Sequence, residues 1–152
     1  MKYVTYVPVA ALAAATIAIA SAACIDAHAA EREESMALRT VMEKLEQDMQ
    51  ATVGAISRED WVLIAELSPR IGRHEEPPAM EKIRILKWVG TDAGRFRAFD
   101  ADVERAANSM SAAAQQEDGA GVIRSFSEIQ QACLGCHQQF RKPFVEHFYG
   151  RR

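Results

Sequence analysis

Apolar residues recur along most of this 152-residue chain at the three-and-four spacing of amphipathic helices, and no stretch alternates long enough to build a sheet. Between Glu31 and Ile56 the seam Leu38, Met42, Leu45, Met49, Thr52 and Ile56 advances in steps of 4, 3, 4, 3 and 4. That spacing predicts a helix packed lengthwise against neighbours. Glu31, Glu33 and Glu34 fall in its first turn, where negative charge suits the helix dipole. Ser57 followed by Asp60 resembles a capping box, and the helix it opens carries Trp61, Ile64 and Leu67 on one face. Pro69 is expected to bend or end that helix, and Gly72 with Glu75-Glu76-Pro77-Pro78 confirms the stop. A short helical piece, Met80 to Val89, leads to Gly90-Thr91-Asp92, the expected start of a third long helix with Phe96, Phe99, Val103, Ala106, Met110 and Ala113 on one stripe. Gln115 to Gly121 reads as a connector. A last helix from Val122 places Ile123, Phe126, Ile129, Cys133, His137 and Phe140 inward, and Pro143 bends or ends it. The expected fold is all-α, an antiparallel four-helix bundle.

Composition narrows the picture. With 49% hydrophobic and 26% charged residues the chain is an ordinary globular protein, long enough for one domain with one core. A net charge of −3 and no basic run argue against a nucleic-acid binder. The first thirty residues differ from the rest. Lys2 is a minimal positive start, Val7 to Ala20 is apolar and Ala-rich, and Ala27-His28-Ala29 is a signal-peptidase pattern. Residues 1–29 are therefore expected to be a cleaved secretory signal and residues 30–152 the mature domain. The competing reading is a retained membrane anchor, which Pro8, Thr16, Ser21 and the abundance of alanine weaken. Ser21-Ala22-Ala23-Cys24 faintly resembles a lipoprotein site but lacks the usual leucine. Cleavage leaves the mature charge at −3, with no expected membrane insertion. It also removes Cys24, so an exported protein keeps one cysteine pair, Cys133 and Cys136.

Cys133-Leu134-Gly135-Cys136-His137 is the C-x-x-C-H sequence of covalent haem attachment. On a helix, positions i, i+3 and i+4 share a face, so both thiols and the imidazole point the same way. Each thiol can add across one haem vinyl group, and the histidine offers its nitrogen to the iron. Leu134 and Gly135 face elsewhere and need only be small or apolar. A thioredoxin-type redox pair would belong near a βαβ pattern, which is missing. A zinc site would need a distant fourth ligand such as His74 or His147. An i, i+3 disulfide would be strained. Only haem uses all three residues and the export signal.

The stretch Gln131 to Arg141, close to the end of a four-helix chain, resembles the class II c-type cytochromes, the cytochrome c prime family. Most cytochromes c carry the motif near the N-terminus, and Phe140-Arg141 one turn after the histidine matches this group. The resemblance implies a bacterial periplasmic protein with one covalent haem c attached at Cys133 and Cys136. It further implies His137 as proximal ligand, no substrate turnover, and a role in electron transfer or gas binding. In this family the first helix faces the distal side of the haem with a methionine or a non-ligating apolar residue. Met36, Met42 and Met49 are available. Met42 sits where the low-spin members place their methionine, with Arg39-Thr40-Val41-Met42 resembling that stretch, so Met42 is the candidate distal ligand. A single methionine in a seam otherwise serves as core filler.

A thioether ligand favours reduced iron and raises the potential, so His137/Met42 ligation suits a single-electron carrier exchanging with a periplasmic redox protein. A vacant distal site would suit binding of NO or CO. A thiol- or metal-binding module without haem is the third reading. Arg141 is the candidate contact for a haem propionate. Trp61 and Trp88 read as core residues, Trp88 in a segment that could cover the haem or the bundle end. His74 reads as a solvated loop residue, and His147 as a surface group or a cover for the haem edge. Arg95, Arg97 and Arg105 alternate with acidic residues as on a solvated face. Ala112, Ala113 and Ala114 would permit close helix approach, including a homodimer contact, as the family often dimerises.

Overall fold

A computed structural model of the protein describes residues 36–150. The expected export signal, Cys24, and Glu31, Glu33 and Glu34 lie outside the described residues. Four long helices, α1 (Ala37–Ser57), α2 (Trp61–Gly72), α4 (Ala93–Gln115) and α5 (Gly119–Cys136), form the bundle. A shorter α3 (Ala79–Val89) and a 3₁₀ turn (Gly90–Asp92) link α2 to α4. A π-helical turn (His137–Arg141) links α5 to a short α6 (Lys142–Phe148). No strand occurs among the described residues, and none of their helices is long and apolar enough to cross a membrane. The all-α four-helix bundle read from the sequence is the fold observed.

Tight turns make successive long helices antiparallel. Asp60, not Ser57, caps α2: its carboxylate accepts from the Leu63 N–H at 3.1 Å. Ser57 is instead the last residue of α1, its hydroxyl donating to the Val53 carbonyl at 3.0 Å. Asp118 caps α5 through the Gly121 N–H at 3.0 Å, so Gly119 and Gly121 belong to the first turn of that helix and the connector is only three residues long. Glu59 and Glu117, one residue before each cap, sit at φ 56° and 55°, the left-handed turn that reverses the chain so sharply. The start of α1 is also capped from elsewhere. Glu81 on α3 accepts from the N–H groups of Ala37 (2.9 Å) and Leu38 (2.8 Å), at the first turn of the described helix. Pro69 does not end α2. It lies one turn from the end, where its carbonyl accepts from Arg73 N–H and Ser68 bonds back to the Ile64 carbonyl at 2.6 Å.

Helix α4 packs along both α2 and α5, α2 packs on α1, and α1 touches α5 only lightly. The core joins Ala55, Ile64, Ile71, Val103, Ala106, Ala107, Met110, Ala114, Val122, Ile129 and Ala132. In α1 and α5 Thr52 and Ile129 are buried as expected, and Leu45, Met49, Ile56, Phe126 and Cys133 pack against the core, but elsewhere the most buried position is the one before the expected residue. Val41, Asp48, Thr52 and Ala55 are buried in α1, while Met42 is 37% exposed. In α5 Val122, Ser125, Ile129 and Ala132 are buried, while Ile123 is 57% exposed. Both α2 and α5 approach α4 closely. A Cβ added at Gly72 would lie 2.9 Å from the Ala107 Cβ, and one at Gly121 would lie 3.0 Å from the Ala113 Cβ. Small residues let the backbones come this close. Ala113 and Ala114 thus serve the bundle itself, leaving Ala112 outside. The buried Asp48 carboxylate is paired with Arg70 at 2.5 Å across the α1–α2 contact.

Candidate functional site

Cys133 and Cys136 close the C-terminal turn of α5. Both carry free thiols and both are half-buried; Cys133 packs against the bundle core. Burial pushes the Cys133 thiol above its ordinary value. Burial, then the neighbouring Cys133 and Asp100, push Cys136 up to about 11. Near neutral pH both sulfurs therefore hold their protons. They remain reduced S–H groups and resist oxidation to a disulfide.

Helix geometry changes at the next residue. The His137 N–H still bonds to the Cys133 and Leu134 carbonyls, and from there the chain opens into one wide π turn. Such a turn inserts a residue into the helical register, and turns of this kind often occur at functional positions. Its effect here is to separate His137, which is exposed rather than on the inward stripe as expected, from Phe140, which is buried. Enough of the surrounding protein crowds the His137 ring, with the positive charge of Arg141 beside it, to hold its pKa below the ordinary value. The imidazole is neutral at pH 7, its lone pair free for a metal.

Aromatic rings brace this end of the bundle. Phe140 meets Phe96 edge-on at 5.3 Å and Phe99 at 6.5 Å. Phe99 also presses on Gly135, where an added Cβ would lie 2.7 Å from its Cε1. Gly135 is therefore more than a small spacer facing away: it is where α4 and the attachment turn come into contact. Leu134 does face outward, 56% exposed. Nothing in the spacing of the motif announces the Phe99 contact, although Phe96 and Phe99 lie on the stripe read from the sequence.

The remaining candidates are placed as follows. His74 is not a solvated loop group: its side chain is 21% exposed, with Nε2 3.5 Å from Asp100 and Nδ1 3.3 Å from the Ile71 carbonyl. His147 stacks on Trp88 at 5.9 Å, and Trp88 also meets Phe144 and Phe148 of α6. Pro143 sits in the first turn of α6, where its missing N–H costs little. Neither distant histidine joins the cysteines, and no cluster of three His, Cys, Asp or Glu side chains suited to a metal ion occurs among the described residues. Met42 and Arg141 are both exposed, while Met49 packs against the core.

Two protonated thiols one turn apart and a neutral imidazole next to them fit a haem bound through two thioethers and one axial nitrogen. A late attachment turn on an antiparallel four-helix bundle defines the class: a c-type haem protein of the second kind. Residues 72–141, from the end of α2 through the attachment turn to Arg141, match the cytochrome C' family. That match supports a class II c-type cytochrome, a family whose members bind one covalently attached haem c. No curated protein and no solved structure matches the chain. When bound, haem c supplies a one-electron iron couple whose potential the ligands and surroundings set. Cys133 and Cys136 would hold it, His137 would ligate the iron, and Gly135 lets Phe99 of α4 pack against the turn.

Proposed function

We propose that the protein is an exported, periplasmic single-electron carrier whose iron is ligated by His137 and Met42, with Arg141 against a propionate. The observation that carries this reading is the contrast between the two methionines of α1. Met49 is taken up by core packing. Met42 is left 37% exposed, an apolar, sulfur-bearing side chain that the core does not use. Thioether sulfur stabilises the reduced iron, and a site filled on both faces exchanges an electron with little rearrangement. The reading involves no substrate turnover.

The test is a spectrum of the purified holoprotein. Sharp low-spin bands that ignore CO are expected. Met42→Ala should broaden them to a high-spin spectrum that shifts with CO. A Met42→Ala variant that stays low-spin removes Met42 as ligand. A wild-type protein that is already high-spin and binds CO would make this a five-coordinate, NO- or CO-binding haem protein instead.

A further inference from the structure

Charge is divided unevenly over the molecule. The ring contacts of Phe96, Phe140, Trp88 and Phe148 draw the C-terminal part of α3, the start of α4, the π turn and α6 to the end of the bundle that holds the attachment turn. In residues 84–100 and 133–149 the basic side chains are Arg84, Lys87, Arg95, Arg97, Arg141 and Lys142, all exposed, against Asp92, Asp100 and Glu146. The surplus there is +3. Every other described residue together gives −6, fourteen acidic against eight basic. Two of the three acids are engaged, Asp100 with His74 and Glu146 with Lys142. Among the described residues, Arg84, Lys87, Arg95 and Arg97 make no ion pair, and Arg141 is the group set against a propionate.

We propose that this basic end is the surface on which the protein exchanges electrons, and that it docks an acidic face of a redox protein. Arg141 and Lys142 follow the haem-ligating turn directly, and Arg95 and Arg97 flank Phe96, which packs on Phe140. A partner held there is held beside the haem. Local charge of one sign steers a charged partner more than distant charge does, because salt screens beyond about 10 Å at 0.1 M. The −6 remainder of the molecule repels an acidic partner from every other approach, so orientation and encounter rate are set together. The inference rests on the electron-carrier reading.

Two small oxidants of opposite charge test it on the reduced holoprotein. One electron passes from haem iron(II) to hexacyanoferrate(III), giving iron(III) haem and hexacyanoferrate(II); the cationic tris(phenanthroline)cobalt(III) is reduced in the same way. A protein of net negative charge, −3 from its side chains alone and more negative with the haem propionates, reacting through its average field would repel the anion, so the rate would rise with ionic strength. The basic surface predicts the opposite: the hexacyanoferrate rate falls as salt is added and the cobalt rate rises. The triple variant Lys87→Glu, Arg95→Glu, Arg97→Glu should slow hexacyanoferrate about tenfold or more at low salt and invert its salt dependence. Arg58→Glu with Arg124→Glu, at the far end of the bundle, should change the rate less than about twofold. A wild-type hexacyanoferrate rate that rises with salt overturns the proposal, as does a triple variant that behaves like wild type. Sedimentation of the holoprotein with phosphatidylglycerol vesicles at 0.15 M salt, lost in the triple variant, would assign the surface to a lipid bilayer and also overturns it. A high-spin, CO-binding spectrum would sink the electron-carrier reading separately, since the salt dependence is measured whatever the spin state.

Discussion

Gly135→Ala measures how tightly the attachment turn is held against α4. In the interior of an ordinary helix this substitution stabilises by about 0.5–1 kcal/mol, because alanine loses less backbone freedom on folding. Here the new methyl would lie 2.7 Å from Phe99 Cε1 and 3.3 Å from Cζ, closer than carbon atoms pack. The ring is not a loose end, since Phe140 lies edge-on against it and Phe96 against Phe140 in turn. Relief requires an off-rotamer Phe99 or a wider α4–α5 spacing, and overpacking of this kind costs about 1–3 kcal/mol. The clash offsets or outweighs the propensity gain, leaving a net loss of up to about 2.5 kcal/mol. With Phe99→Ala as background the clash is gone, and the same substitution should stabilise by up to about 1 kcal/mol. Guanidinium unfolding of the four holoproteins, followed by helical circular dichroism, closes this double-mutant cycle. Gly135→Ala proving more stable than wild type, or changing stability equally in both backgrounds, would refute the contact.

Other expectations follow from single contacts. Glu81→Ala removes the carboxylate that caps two N–H groups of α1 and should cost about 1–2 kcal/mol, near the upper range for a helix cap. Hydrogen exchange at Ala37 to Val41 should quicken, and unchanged exchange there would contradict the cap. In haem-free protein, the Cys136 thiol at about 11 should alkylate slowly at pH 7. The rate should climb about tenfold per pH unit as the thiolate fraction grows, levelling only near pH 11. In urea, with burial lost, the levelling should move down to the ordinary thiol range of about 8.5. A native chain that levels near pH 8.5 would show that Cys136 is not buried beside Asp100.

What the amino-acid sequence determined by itself was everything carried by local spacing. The helical period of Phe96, Val103, Ala106 and Met110 needs no partner to be read, and neither does the C-x-x-C-H turn. Together they specify a helical bundle with a haem-attachment site near its end. Tertiary structure decided which side of each helix is buried. At Gly72, Gly121, Ala107 and Ala113 the backbones approach closely, and Met42 and Ile123 face outward although their hydrophobicity alone points them in. It also decided the caps, because Glu81 reaches α1 from 43 or more residues away in sequence, and no local pattern encodes that bond. The unequal division of charge belongs to the same category, because it depends on which distant segments meet at one end of the bundle, and period and motif carry no information about that.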